Sequence, residues 1–407
     1  MLSSSFQMRV EANLHYWSQK IKSTAPTEQE ELRLEHHNLL RALEFGLAIP
    51  ATLISSLHLA LGVFPLLDGE STAPNWYQIY QRAINNAHHP HLKAQLLNQL
   101  GYLYSQARKG QASLEVHKKA EAIGEEHGSP EMIAQAHVGI SQSHWVLDQT
   151  ELSVKYAKLA LEELGSLESQ GQPLQDFALA HNALGLALHS RGDYNEAQKH
   201  FRKAITIIKH CKVSVLKARL HNNYAFSLQE EGLSEYDKSP ADNTRKMERA
   251  EGQFSKALSI YKELGRLKQM ARVELSRCSL HIRLGNYTKA EKKLQRISTD
   301  AKCWGADYDL QAQTAYAHGQ MALLQAHWME AEIYLQNALQ LWEQAGDELM
   351  QAQMCIHLSH IYFQQGKQDA LRSAMKKAQD LLEKMPSRPL RDKLLLEIQI
   401  KQQTLAS

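Results

Sequence analysis

Residues 182–204 read NALGLALHSRGDYNEAQKHFRKA, and their small and large side chains alternate with helical spacing on both sides of a glycine-containing break. Gly185 carries no side chain, so a second helix can lie close against the first at that point. Gly192-Asp193 reads as the end of the first helix, because glycine accepts the left-handed conformation that closes a helix. Ala197, Phe201 and Ala204 then recur at i, i+4 and i+7, which places one large and two small residues on a single face of a second helix. The reading is an antiparallel helix pair whose crossing is set by small residues and filled by Phe201.

The closing small residue of the second helix can be followed through Ala120, Ala160, Ala204, Ala257, Ile297, Ala338 and Ala378, at steps of 40, 44, 53, 40, 41 and 40 residues. Its companion in the first helix recurs as Gly101, Gly139, Gly185, Ala225, Cys278, Gly319 and Ser359. Turn signals fall where such a period needs them. Gly192-Asp193-Tyr194, Gly285-Asn286-Tyr287 and Gly366-Lys367-Gln368 join the helices of a pair, while Gly128-Ser129-Pro130 and Gly346-Asp347 separate pairs. A degenerate earlier pair is expected over Thr52–Phe64 and Trp76–Ala87. The long step contains Ser234 to Asn243, a polar run read as an exposed loop between two helices of one pair.

The pattern closely resembles the tetratricopeptide repeat, with a period stretched beyond its usual ~34 residues by close to one turn per helix. The resemblance implies an all-α fold: a right-handed tetratricopeptide-repeat superhelical solenoid of about eight helix pairs. The expected organisation is a helical N-terminal cap over 1–49, repeats over 50–386 with an insertion near 233–248, and a C-terminal capping helix over 387–407. Leu394, Leu395, Ile398 and Leu405 form the apolar stripe of that last helix, which covers the open end or pairs two chains into a homodimer through terminal helices.

Composition fits this reading. Ten prolines and 20 glycines in 407 residues leave room for long helices. With 46 basic and 44 acidic residues the chain lacks the electrostatic excess that direct nucleic-acid binding draws on. Cys211, Cys278, Cys303 and Cys355 form no C-x-x-C pair, and the first residues lack the basic-then-apolar layout of a signal peptide, so a reducing cytoplasm is expected. The apolar run Ile49–Leu67 carries Ser55, Ser56 and His58 and is read as a buried helix rather than a membrane span.

Within the cap, Leu32, Leu39, Leu40 and Leu43 make one apolar stripe. Glu35, Asn38-Leu39 and Ala42-Leu43 resemble the segment that precedes the tetratricopeptide sensor in bacterial signal-transduction ATPases with numerous domains. That resemblance implies a sensor that binds an inducer or partner. It does not extend to ATP hydrolysis or DNA binding, since the chain has no G-x-x-x-x-G-K-[ST] loop and no helix-turn-helix signature.

In the tetratricopeptide family the first helix lines the inner groove, and the residue three before its small packing residue points inward. That spacing picks out Asn98, Asn182 and Asn222, with Ala136 breaking the row. Side-chain amides both donate and accept, so a row of them pairs with the backbone of an extended peptide irrespective of its sequence. Tyr102, Leu186 and Phe226 follow the small residues directly, and His189 and Gln229 lie three further on, giving a mixed apolar and polar lining. The alternative for the asparagines is a structural bond to a neighbouring helix. Lys93, Lys217 and Arg219 are too few for a carboxylate clamp on successive helices.

No catalytic motif, metal site or cofactor is indicated. His88-His89-Pro90-His91 sits at an expected turn, and His357 and His360 lack accompanying Cys or carboxylate spacing. Trp145, Trp328 and Trp342 are read as interior residues of the helix stack. The leading function is a non-catalytic regulatory sensor or adaptor that takes a protein or peptide segment in its groove. A scaffold assembling through its convex face or terminal helix, and a small-molecule receptor lined by Tyr102 and Phe226, are the alternatives.

Overall fold

The computed structural model describes residues 4–25, 28–67, 74–167, 174–212, 214–234, 240–300, 307–385 and 389–406, which are helical with short connections and contain no strand. The chain forms two compact units, Met1–Arg266 and Leu267–Ser407.

The first unit begins with α1 (Ser4–Ser23), α2 (Gln29–Leu34) and α3 (His36–Gly46). Val10, Leu14 and Trp17 of α1 and Leu39, Leu40 and Leu43 of α3 are buried together in one cluster with α4 (Leu53–Leu67) and α5 (Pro74–Asn86). Glu35 interrupts α2 and α3, and its carboxylate accepts a 2.5 Å bond from Asn38 Nδ2. The pairs that follow are α4 with α5, α6 (Pro90–Gln106) with α7 (Gly110–Glu126), and α8 (Pro130–Val146) with α9 (Thr150–Gly165). Then come α10 (Leu174–Arg191) with α11 (Tyr194–Ile207) and α12 (Val215–Ser234) with α13 (Pro240–Glu263).

Residues 50–67 are long and apolar enough to cross a membrane, with mean hydropathy 1.6. Here they pack against α1, α3, α5 and α6, and Leu57, Leu59, Ala60, Val63, Leu66 and Leu67 are buried. Pro65 lies inside α4 and lacks the N–H that would bond the carbonyl four residues earlier. That carbonyl, of Leu61, accepts instead from Gln99 Nε2 of α6 at 3.3 Å.

The signature pair behaves as its residues require. A Cβ at Gly185 would stand 2.6 Å from the Phe201 ring, and Phe201 and Ala204 are fully buried. Gly192 has φ +90°, so the turn needs glycine. Arg108, Asp148 and Ala326 also take left-handed φ, at 56°, 56° and 57°, between the helices of their pairs. The polar insertion departs from the loop expectation. Residues 235–239 lie outside the described residues, and Pro240–Asn243 form the first turn of the 24-residue α13. Asn243 is buried there, because the extra residues extend the second helix instead of leaving the stack.

The second unit contains α14 (Leu267–Arg283), α15 (Tyr287–Asp300), α16 (Tyr308–Leu324), α17 (Trp328–Ala345), α18 (Glu348–Gln364), α19 (Gln368–Glu383) and α20 (Pro389–Ala406). Asp307 and Asp347 cap α16 and α18 through their carboxylates, accepting from Leu310 N and Met350 N at 3.1 Å each. Trp342 is fully buried between Tyr316 and the following pair, as expected of an interior residue. Leu394 and Ile398 of α20 are buried on α18 and α19, while Leu396 and Ile400 face outward.

Candidate functional site

The first helices of successive pairs in the first unit, α4, α6, α8, α10 and α12, contact one another and line a common inner face. That face is strongly curved. Arg219 of α12 sets its guanidinium 5.3 Å from the ring centre of Tyr102 on α6, across the two intervening pairs. Phe64 of α4 meets the same tyrosine edge-on at 5.5 Å.

Asn98 and Tyr102 lie one turn apart on α6. The Asn98 Oδ1 is 3.0 Å from Nδ1 of His117, a buried residue of α7, and the Asn98 Nδ2 has no hydrogen-bond partner. On α8, Gln135 Nε2 donates to Asp176 Oδ2 of α10 at 3.2 Å. Burial pushes the Asp176 carboxyl above its ordinary range.

Asn182 corrects the expectation of a side chain open to the groove, because it is only 1% exposed. It is turned into the contact between α10 and α12, where its Oδ1 accepts from Asn223 Nδ2 at 2.9 Å while its own Nδ2 is unpartnered. Asn223, half-buried beside Asn222, is the residue that sequence spacing missed. It lies two before the small packing residue Ala225, so a strict three-residue offset passes over it. Gln229 is likewise 1% exposed, with its Oε1 unpartnered, and does not line an open groove. Asn222 is half-buried and its Oδ1 has no partner.

The apolar part of the lining is brought together. The His189 ring lies 5.1 Å from Phe226 and 5.3 Å from Tyr194, Leu186 is half-buried on the same helix, and Phe226 is 40% exposed. Burial lowers the His189 imidazole to about 4, so it is neutral at physiological pH, and its Nδ1 is unpartnered. Trp145 is not the interior residue its spacing implied. It stands 40% exposed at the end of α8, and its indole N–H donates to Ser190 Oγ of α10 at 2.8 Å. Trp145 is in the last turn of α8, where the polar edge of the indole finds a partner on the next first helix.

His88 and His89 are exposed at the turn before α6, while His357 and His360 pack against Tyr316 and Trp328. Among the described residues no group of three His, Cys, Asp or Glu side chains is placed to hold a metal ion.

Models of the tetratricopeptide repeat match residues 178–211 and 352–381. No curated protein matches the chain in sequence. Solved structures of like fold span almost its full length. A Rap protein complexed with competence and sporulation factor is 15% identical, with 93% of this chain and 98% of that one covered and a TM-score of 0.59. The apo form of the quorum sensor NprR from B. thuringiensis is 16% identical, with coverage of 93% and 99% and a TM-score of 0.53. Aspartyl phosphate phosphatase F from Bacillus subtilis is 16% identical, with coverage of 95% and 96% and a TM-score of 0.52. At these identities the likeness is one of fold.

Proposed function

We propose that the chain is a non-catalytic regulatory sensor or adaptor of the cytoplasm, and that its first unit binds an extended peptide segment along the inner face of α6, α8, α10 and α12. One observation carries this reading. Asn98 Nδ2 and Asn222 Oδ1 are buried polar atoms without partners on the first helices of two pairs. A folded chain tolerates such atoms at a cost of ~1–3 kcal/mol each, and a peptide backbone, which offers both donors and acceptors, would satisfy them. Asn223, Leu186 and Phe226 supply further polar and apolar contact along the same face. Two structural relatives, a Rap protein complexed with competence and sporulation factor and the quorum sensor NprR, agree with a peptide-signal reader.

The test compares the intact chain with the Asn222→Ala, Phe226→Ala double variant, both immobilised and exposed to cytosolic extract, with bound peptides read by mass spectrometry. Peptides retained by the intact chain and lost by the variant are expected, and equal retention removes the inner-face assignment. A third relative is named a phosphatase, so the non-catalytic part has its own check. Hydrolysis of acetyl phosphate above the blank rate would overturn it.

The finer resemblance, to the sensor region of signal-transduction ATPases with numerous domains, rests on Glu35, Asn38-Leu39 and Ala42-Leu43. A scaffold reading is favoured by Leu396 and Ile400, which leave an apolar strip on α20 open for pairing two chains. Sedimentation that shows a dimer in the wild type and a monomer in Leu396→Glu, Ile400→Glu would establish it.

A further inference from the structure

The residue three before the closing small residue of each second helix is the packing residue that meets the first helix of its own pair. Along the chain it is His117, Ala157, Phe201, Phe254, Leu294, Leu335 and Met375, and every one is buried. Six are apolar, as a core position in a helix stack calls for. His117 alone is polar, at 2% exposure.

Its surroundings are built around the ring. A Cβ at Gly101 of α6 would lie 2.4 Å from His117 Nε2, and a Cβ at Gly139 of α8 would lie 2.1 Å from Cε1. The imidazole therefore occupies space that two glycines on successive first helices leave free. Ala157, the packing residue of the next pair, is too small to fill the place beside Gly139. Burial pushes the ring down to about 3, so it is neutral, and Nε2 has no partner. A phenylalanine or leucine, as in the later pairs, would fill the position without an unpaired nitrogen. Stability alone does not explain a histidine here.

What the histidine adds is its one hydrogen bond, Nδ1 to Asn98 Oδ1 at 3.0 Å. Nδ1 can donate to the amide oxygen or, in the other tautomer, accept from a turned amide nitrogen. In either case one amide atom of Asn98 is held from inside the core, and the other is left without a partner, as Nδ2 is here. Asn98 precedes Tyr102 by one turn, so this amide adjoins the ring over which Arg219 closes from α12.

We propose that His117 is a positioning residue, which reaches through the core between Gly101 and Gly139 to fix the Asn98 side-chain amide and reserve its second polar atom for a ligand on the inner face. The consequence for binding rests on the peptide-groove reading above, whereas the fixing of Asn98 does not.

The experiment uses the full chain labelled with 15N-asparagine, with the Asn98 side-chain amide pair assigned by its loss in Asn98→Ala. In the wild type the pair is expected away from the exposed-amide position. His117→Leu should return it there while raising the melting temperature, and His117→Gln, which can again bond the amide, should restore the wild-type shift. His117→Phe serves as a second apolar variant if the leucine form does not fold. Unchanged Asn98 signals in the apolar variant, or a melting temperature lowered in both Leu and Phe forms, overturns the proposal.

The same four proteins are then titrated with a fluorescein-labelled library of N-acetylated random pentapeptides. Capture weakened about fivefold in His117→Leu and regained in His117→Gln is the expected result. Asn98 signals that respond as described with equal capture by all four would leave the positioning intact and remove the inner-face peptide reading.

Discussion

Arg266 offers the most direct test of how the first unit is held together. It follows α13, is 1% exposed, and donates from Nη2 to the Pro65 carbonyl at 2.5 Å, across 201 residues of sequence. Pro65 is in the last turn of α4, where carbonyls have no partner within the helix and the dipole favours a cation. The guanidinium thus meets both needs at once. A charge-assisted bond of this kind contributes ~1.5–3 kcal/mol, and burial of the side-chain stem adds about 1–2 kcal/mol. Arg266→Ala should therefore destabilise the first unit by about 3–5 kcal/mol, and Arg266→Lys by less, because the charge remains without the fork. Hydrogen exchange read by mass spectrometry on the full chain separates the two units. Amides of α4 should exchange at least ~100-fold faster in Arg266→Ala, the equivalent of ~2.7 kcal/mol, with α16–α19 unchanged. An increase below about fivefold in α4 would refute the idea that Arg266 ties the two ends of this unit.

Phe201→Ala empties the space against Gly185 and should cost about 3–5 kcal/mol in a urea melt. Asn182→Ala should shift stability by less than about 1 kcal/mol, because the lost bond to Asn223 is offset by removal of an unpartnered buried Nδ2; a large loss would show the amide to be structural. Ala326→Gly should raise the melting temperature, since Ala326 holds φ 57° at a cost of about 1 kcal/mol that glycine does not bear. Burial lowers His117 to about 3, and lowers His181 and His189 to about 4, His181 also being opposed by the facing His200. The unfolded chain binds these protons from about pH 6.5 downward while the folded chain excludes them, so stability should fall as pH drops from 6.5 toward 4. Asp176, pushed upward by burial, acts in the opposite sense at the acidic end. Chemical melts between pH 7.5 and 4.5 check the slope, and a flat profile would contradict it.

The helix pairs were legible in sequence because their determinants are local. Gly185 and Phe201, or Gly319 and Leu335, sit within one pair and repeat at a nearly fixed interval, so a single period reports every such contact. The open turns were only half legible. Glycine marks left-handed φ at 192, 285 and 366, but the same conformation at Arg108, Asp148 and Ala326 is imposed by the packing of the flanking helices and leaves no composition signal. Trp145 shows the same limit from the other side, for helical spacing gives the face of a residue but not where the next helix ends.

The inner face was legible as a row and not as a surface. Spacing places Asn98, Asn182 and Asn222 on one side of their helices, yet it cannot tell an amide that faces out from one that bonds the adjoining helix. That choice depends on the neighbour: His117 for Asn98 and Asn223 for Asn182. The approach of Arg219 to Tyr102 and of Arg266 to Pro65 depends on more still, because each is the sum of small rotations over several pairs. A change of a few degrees per pair would separate those partners while leaving every local contact intact. On the proposed peptide reading, a ligand that widens or narrows the curve by a small amount at each pair would be read at Arg219 and Arg266, where those changes add up.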